Sequence, residues 1–86
     1  MIRAASRHAT LLVGLPADRY RPFPDGRAPA PGDVVVLDQA FTGPDDAQMV
    51  LVYGEASGRD LYEAEVYTTE IRILPASDRR AQGGTR

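Results

Sequence analysis

The hydrophobic positions along the chain repeat mostly with the two-residue period of a β-strand. The clearest alternation is at residues 62–67, where apolar and mostly acidic side chains take turns. Successive side chains of a strand point to opposite faces, so Tyr62, Ala64 and Val66 are predicted to face a core. The intervening side chains are then predicted to face solvent.

Short apolar runs predict further strands at residues 9–13, 33–37, 48–53 and 71–74. For the first of these, a helix over residues 1–12 is the alternative, because short apolar runs do not separate the two structures well. Residues 33–37 carry apolar side chains at both odd and even positions. We therefore expect that strand to be buried on both faces or bent.

Glycine and proline indicate where the strands end. A Gly-Pro-Asp-Asp turn signal lies within residues 40–47, and Ser57-Gly58 predicts a hairpin turn. Five prolines between residues 16 and 32 remove amide donors and favour extended geometry, which excludes a helix or a central strand there. This stretch is predicted to be an extended connecting loop, anchored on the core by Tyr20 and Phe23.

These elements predict one all-β domain, because 86 residues are too few for two domains. We expect an N-terminal strand region at 1–15, a proline-rich extended loop at 16–32, a β core at 33–74 and a flexible tail at 75–86. Four to five short strands favour a small, strongly bent antiparallel sheet or an SH3-like barrel, whose closure would remove unpaired edges. The expected core consists of Leu11, Val13, Val34, Val36, Val50, Val52, Tyr62, Ala64, Val66, Ile71 and Ile73.

Composition excludes several classes of function. The chain has no cysteine and one histidine, which excludes disulfides, thiolate metal sites and histidine-rich metal centres. No apolar run approaches the roughly 18 residues that a membrane span requires. We therefore expect a cytoplasmic protein that uses no metal or other cofactor. His8 and Ser6 do not indicate nucleophilic catalysis, because no third, orienting group accompanies them.

Charge is distributed unevenly along the chain. Residues 33–70 contain nine acidic residues and one arginine, whereas residues 1–32 contain five arginines and two acidic residues. Residues 71–86 contain four arginines and one acidic residue, and lysine is absent throughout. We interpret the basic flanks as neutralising an acidic middle. The absence of lysine suggests the base composition of a GC-rich bacterial genome.

The acidic residues of the middle segment suggest three kinds of site. Glu63 and Glu65 share a strand face, which would suit paired catalytic carboxylates or calcium, but a solvated strand face is the simpler interpretation. Asp45 and Asp46 follow a turn signal without the remaining spacing of a calcium loop, so local hydrogen bonding explains them better. The third is an acidic face for a protein partner, with predicted contacts Glu63, Glu65, Tyr67 and Glu70 at its centre and Asp45, Asp46, Glu55 and Asp60 around it.

A second candidate surface combines arginines with aromatic rings in the proline-rich loop. Arginine next to stacking aromatics is typical of platforms for single-stranded nucleic acid. The acidic middle segment would repel a phosphate backbone, so nucleic acid is the less favoured partner. The residues of this alternative are Arg19, Tyr20, Arg21, Phe23 and Arg27, with Arg79 and Arg80 in the tail.

The strand block at 32–37, 49–53 and 61–71 resembles small bacterial SH3-like β-barrel proteins. In size, acidity and layout it is similar to some immunity proteins of bacterial toxin systems, and the resemblance covers about residues 32–74. It implies a non-enzymatic module that binds a basic protein such as a toxin. A nucleic-acid accessory module and a homo-oligomeric subunit, packed through a strand such as 49–53, are the alternatives.

Overall fold

The alternating segment and the apolar runs around it form a single antiparallel sheet in a computed structural model that describes residues 7–75. The prediction of an all-β antiparallel fold is confirmed. Within these residues, three single turns of 3-10 helix lie between strands, at Ala17–Arg19, Pro44–Asp46 and Thr68–Glu70. The strands are β1 (Arg7–Leu11), β2 (Tyr20–Pro22), β3 (Val34–Thr42), β4 (Gln48–Ala56), β5 (Arg59–Tyr67) and β6 (Ile71–Ile73).

The six strands follow the linear order β2-β5-β4-β3-β1-β6. Since β2 and β6 are the two ends of this order, the sheet is not closed into a barrel, and the open, bent form is the one that occurs. The register of β3 against β4 shifts between Leu37 and Gln39, and that of β4 against β5 shifts between Gly54 and Glu55. Such bulges bend a sheet and increase its twist.

The turn at the β4–β5 hairpin lies where the sequence predicts it. Ser57 and Gly58 both have positive φ, 53° and 77°, which is the geometry that matches the twist of the flanking strands. The turn between β3 and β4 lies at the Gly-Pro-Asp-Asp signal, in residues 43–47. β3 is longer than the predicted strand at 33–37, because residues 40–42 pair with residues 48–50 of β4.

One face of the sheet carries the core. Side chains from five strands meet there in one cluster, and residues 7–75 contain no helix longer than three residues that would cover it. The sheet itself and the loop after β1 therefore enclose the core. The buried cluster comprises Ala9, Leu11, Val35, Val50, Val52, Tyr62, Ala64, Val66 and Ile71.

Four of the expected core positions are wrong. Val13 lies beyond the end of β1, and Ile73 is on the edge strand β6, so both remain more than one-third exposed. In β3 before the register shift at Leu37, the backbone pairing of Val35 with Ala9 and Gly54 puts the odd-numbered residues on the core side. Val34 and Val36 therefore point away from the core, and Val35, fully buried, replaces them.

The proline-rich loop is held against the sheet at several points. It contains the three-residue strand β2, which pairs with β5 and ends at Pro22, where a missing amide donor is tolerated at a sheet edge. Tyr20 packs on the core, as expected, whereas Phe23 stacks on Tyr53 with ring centroids 6.4 Å apart. Within residues 7–75 no helix is long and apolar enough to cross a membrane.

Candidate protein-binding face

The face of the sheet opposite the core carries aromatic and charged side chains in regular rows. Cross-strand partners point to the same side, so Val36, Tyr53, Glu63 and Arg21 form one row across four strands. The next rows contain Gln39 with Leu51 and Glu65, and then Phe41 with Met49 and Tyr67. Met49 is the one of these that is buried. We call this side of the sheet the outer face, and its residues are Arg21, Val36, Gln39, Phe41, Met49, Leu51, Tyr53, Glu63, Glu65 and Tyr67.

The centre of the outer face is apolar and partly accessible. Phe41, Leu51, Tyr53 and Tyr67 are each half-buried. The proline-rich loop covers part of this region, because Phe23 stacks on Tyr53 and the Arg19 guanidinium lies over the Tyr67 ring. A shallow depression of about 220 Å³ lies between Gln39, Phe41, Leu51 and Glu65. Half-buried aromatic side chains beside a small depression are typical of the anchor region of protein interfaces.

The predicted centre of the acidic face is only partly available to a partner. Glu63 forms an ion pair with Arg21, and Glu70 forms a two-pronged pair with Arg19 at 2.9 Å for each contact. Among the predicted central carboxylates, Glu65 alone makes no ion pair within residues 7–75. Glu65 is also exposed, which leaves it as the open negative charge of the outer face.

Glu70 has a structural role that its position in the sequence does not reveal. Its carboxylate accepts the bonds from Arg19 and a further bond, of 2.9 Å, from the Tyr67 amide. The bonds from Arg19 are the largest cause of a lowered Glu70 pKa, and they outweigh the opposing effect of burial. The Arg19 guanidinium lies 4.8 Å above the Tyr67 ring, which adds a cation–π contact.

The arginines of the alternative nucleic-acid surface are each paired with an acidic residue. Arg19 and Arg21 contact Glu70 and Glu63, and Arg27 binds both carboxylate oxygens of Asp33 at 2.9–3.0 Å. Their aromatic neighbours are engaged as well, because Tyr20 packs on the core and Phe23 on Tyr53. Arg79 and Arg80, the other part of this prediction, lie outside the described residues, as does Ser6.

A second group of carboxylates surrounds Tyr53 at the hairpin end of the outer face. Asp38, Glu55 and Asp60 line a cavity of about 360 Å³ together with Tyr53. Burial raises the pKa of the Tyr53 hydroxyl, and the neighbouring Asp38 carboxylate raises it further. His8 lies at this end, with its Nε2 atom 3.8 Å from Glu55. Glu55 and Asp60 are predicted site residues, whereas Asp38 is not.

Asp45 and Asp46 are at the opposite end of the outer face, in the β3–β4 turn. Both have left-handed backbone conformations, with φ of 58° and 61°, which aspartate tolerates better than most residues. The predicted local hydrogen bonds are not formed by either carboxylate within residues 7–75, so the left-handed backbone is what the two aspartates accommodate there. Within residues 7–75, no group of three or more histidine, aspartate or glutamate side chains is arranged to hold a metal ion.

Sequence reasoning missed the apolar half of the outer face. The sequence is sufficient to assign Leu51 and Tyr53 to the outer face. They alternate with the predicted core residues Val50 and Val52, and neighbours on a strand point to opposite sides. Gln39 and Phe41 could not be assigned, since the shift of register after Leu37 reverses the alternation along β3. Comparison with protein-family models, with curated proteins and with solved structures finds no match in any of the three.

Proposed function

We propose that the chain is a non-enzymatic protein-binding module whose outer face docks a basic protein. The observation that carries the proposal is the arrangement of this face. Half-buried Phe41, Leu51 and Tyr53 form an apolar centre, and exposed Glu65 lies beside them. Interfaces commonly combine aromatic anchors at the centre with a polar rim.

The charge of the rim indicates which kind of partner would fit. Carboxylates that make no ion pair within residues 7–75 lie at both ends of the face: Asp38 and Asp60 at the hairpin end, and Asp45 and Asp46 at the turn. Arg19 and Arg21 beside the face are paired with Glu70 and Glu63, and Arg59 at the hairpin end donates to the Asp25 carbonyl. A partner therefore meets mainly unpaired negative charge, which attracts a cationic surface and raises the association rate.

The finer version of the proposal is a toxin-neutralising immunity protein of a bacterial cytoplasm. Its support is small size, an acidic balance and the SH3-like resemblance of the strand block. Toxins that act on nucleic acid carry cationic surfaces, and an acidic inhibitor would complement them. The nucleic-acid alternative has weaker support, because Arg19, Arg21 and Arg27 are each paired with a carboxylate.

Affinity capture from the native source, followed by purification of the captured protein, tests this proposal. The dissociation constant is then compared for wild type, Glu65→Gln and Asp25→Asn. Asp25→Asn is the matched control: it removes the same charge from the proline-rich loop, at a left-handed position (φ 66°) that asparagine tolerates. We expect a basic partner and a roughly two- to five-fold weakening by Glu65→Gln alone. An acidic partner, or equal effects of the two variants, would contradict the proposal.

A further inference from the structure

The last residues of β5 have no strand beside them on the side of β2. β2 pairs with β5 only from Tyr62 to Ala64, whereas β5 continues to Tyr67. On its other side, β5 pairs with β4 as far as Tyr67. Within residues 7–75, residues 65–67 are therefore a stretch of sheet edge that β2 does not cover.

Two side chains occupy this stretch and make the hydrogen bonds of a missing strand. The Arg19 guanidinium donates to the Glu65 carbonyl at 3.3 Å, and the Glu70 carboxylate accepts from the Tyr67 amide at 2.9 Å. Two further bonds of 2.9 Å join the guanidinium to the carboxylate. A paired antiparallel strand would likewise donate to one outward carbonyl and accept from the outward amide two residues along. We call Arg19 and Glu70 the edge pair.

The edge pair holds two residues of the outer face. The Arg19 guanidinium lies 4.8 Å from the centre of the Tyr67 ring, while the Glu70 carboxylate holds the backbone amide of the same tyrosine. The bond to the Glu65 carbonyl fixes the backbone that carries the open carboxylate. A ring of the apolar centre and the unpaired charge beside it are thus both tied to the edge pair.

The side chains of the edge pair are themselves little exposed. Arg19 and Glu70 each have 19% of the side chain accessible, whereas Arg21, which pairs with Glu63 on the same edge, has 71% accessible. Both carboxylate oxygens of Glu70 accept bonds from Arg19, so the two charges offset each other. A partner on the outer face therefore meets what the edge pair holds rather than the edge pair.

Holding these groups before binding favours association. Side chains that become ordered only on binding lose conformational entropy at that moment, and side chains that are already ordered do not. Arginine suits this task, because its planar fork bonds both carboxylate oxygens and stacks on an aromatic ring, whereas the compact ammonium of lysine cannot do both.

We propose that Arg19 and Glu70 are positioning residues of the interface: they complete the uncovered end of the β5 edge and hold Tyr67 and Glu65 in the arrangement that the partner binds. Neither side chain of the edge pair contacts the partner. Glu70, which the sequence suggests as a central contact, then acts through Tyr67. The inference rests on the proposed function and identifies the residues that prepare the outer face for docking.

The first arm of the test compares the affinity of the captured partner for wild type, Arg19→Gln and Arg21→Gln. Both substitutions remove one positive charge beside the outer face, so charge alone would strengthen the binding of a basic partner to either variant. Arg21→Gln is the matched control, because Arg21 pairs with Glu63 and not with the residues that Arg19 holds. We expect Arg19→Gln to weaken binding about five-fold and Arg21→Gln to leave it unchanged or slightly tighter. Unchanged or tighter binding by Arg19→Gln would overturn the positioning role.

A double-mutant cycle tests whether Arg19 acts through Tyr67. Tyr67→Leu removes the ring beneath the guanidinium, so in that background Arg19→Gln should lose most of its effect on affinity. Additive effects would mean that Arg19 acts independently of the ring, which would overturn the proposal. Arg19→Lys serves if Arg19→Gln does not fold: it keeps the charge without the two-pronged bond, and we expect at least about two-fold weaker binding. Wild-type affinity of Arg19→Lys would equally contradict positioning.

Hydrogen exchange of the free protein tests the edge pair without a partner. Glu70→Ala removes the acceptor of the Tyr67 amide and should speed exchange of that amide at least about ten-fold. The Val66 amide is the internal control, because backbone groups alternate along a strand and this amide faces β4. An equal change at both amides would mean that Glu70 only stabilises the fold, and would overturn its positioning role.

Failure of the proposed function gives a different result from failure of this inference. If Glu65→Gln weakens the basic partner but Arg19→Gln does not, docking on the outer face stands and the positioning role alone is overturned. If the partner is acidic, or Glu65→Gln binds it as wild type does, the proposed function is overturned and the positioning role with it.

Discussion

At the scale of single residues, Asp33 links the long loop to the core. Its carboxylate accepts bonds from the Arg27 guanidinium, from the Ala30 amide at 2.9 Å and from the Tyr62 hydroxyl at 2.7 Å. Burial opposes ionisation of Asp33, but these bonds outweigh it and lower the pKa of the carboxyl. For Tyr62, burial and the bond to Asp33 raise the pKa of the hydroxyl. The ring of Tyr62 is a core residue, so this bond joins the loop to the best-buried part of the sheet.

Two substitutions separate the contributions of Asp33 and Tyr62 to the free energy of unfolding. Asp33→Asn weakens the bonds of an ionised acceptor and leaves the Tyr62 hydroxyl poorly satisfied, so it should lower the free energy of unfolding by about 1–3 kcal/mol. Tyr62→Phe removes one donor but leaves Asp33 with Arg27 and Ala30, and should cost about 0.5–1.5 kcal/mol. Urea unfolding measures both. A larger loss for Tyr62→Phe than for Asp33→Asn would contradict this ranking.

The bonds to the Asp33 and Glu70 carboxylates make the free energy of unfolding depend on pH in the acid range. Asp33 and Glu70 have lower pKa values in the folded protein than their ordinary values of 3.8 and 4.5, so the unfolded state binds more protons as the pH falls. Their stabilisation is fully present above these ordinary values and is lost as the pH falls through the folded ones. Urea unfolding between pH 6 and pH 2.5 should show this loss, and Glu70→Gln should reduce its slope. An unchanged slope would contradict the assigned role of Glu70.

Residue-level prediction from the sequence succeeds where the alternation is unambiguous and fails where it is not. At residues 62–67 two glutamates alternate with less polar side chains. The prediction that Tyr62, Ala64 and Val66 face the core is correct. At residues 34–37 all four side chains are apolar, so nothing in the pattern chooses between odd and even positions. The choice is made by pairing with Ala9 and Gly54, which are distant in sequence.

At the scale of elements, Gly54 and Tyr62 form a matched pair across the β4–β5 ladder. A Cβ atom at Gly54 would lie 2.2–2.7 Å from three atoms of the Tyr62 ring, so the ring occupies the space that a side chain would need. Glycine in a strand costs conformational entropy, and here the burial of an aromatic ring over it compensates. The two residues thus fix the register of the hairpin together.

Gly54→Ala should therefore destabilise the hairpin. The Tyr62 ring is fully buried and cannot move freely, so we expect a loss of about 1–3 kcal/mol in the free energy of unfolding. Gly14→Ala is the matched control, because a Cβ atom at Gly14 meets nothing within 4 Å. Thermal and urea unfolding of the two variants make the comparison. Equal free energies of unfolding for Gly54→Ala and Gly14→Ala would contradict this account, because the Tyr62 ring would then leave room for a Cβ atom at position 54.

The lengths of elements are less predictable than their existence. Turn signals correctly indicate the hairpin at Ser57-Gly58, because two residues with positive φ suffice to form it. β2 was not predicted, since its three residues stand among prolines and are held as a strand only by β5. The extension of β3 to Thr42 likewise depends on its partner β4 rather than on its own sequence.

At the scale of the whole molecule, the uneven charge of the sequence becomes a set of ion pairs. Arginines of the first third fold against the acidic strands and their 3-10 turn, where Arg19 and Arg21 meet Glu70 and Glu63. For the N-terminal flank this agrees with the interpretation that basic flanks neutralise the acidic middle, whereas most of the C-terminal flank lies outside the described residues. The negative charge that remains lies mostly at Glu65 and around the rim of the outer face. The sequence indicates that charge is segregated, but only the register shows which carboxylates stay unpaired.

The salt dependence of association tests most directly whether this remaining charge draws in a basic partner. With the captured partner, we expect the association rate to fall at least about ten-fold between 20 and 500 mM salt, with a much smaller change in the dissociation rate. Glu65→Gln should make the decrease less steep, and Asp25→Asn should not. An association rate that stays constant across this range would contradict docking through the charged outer face.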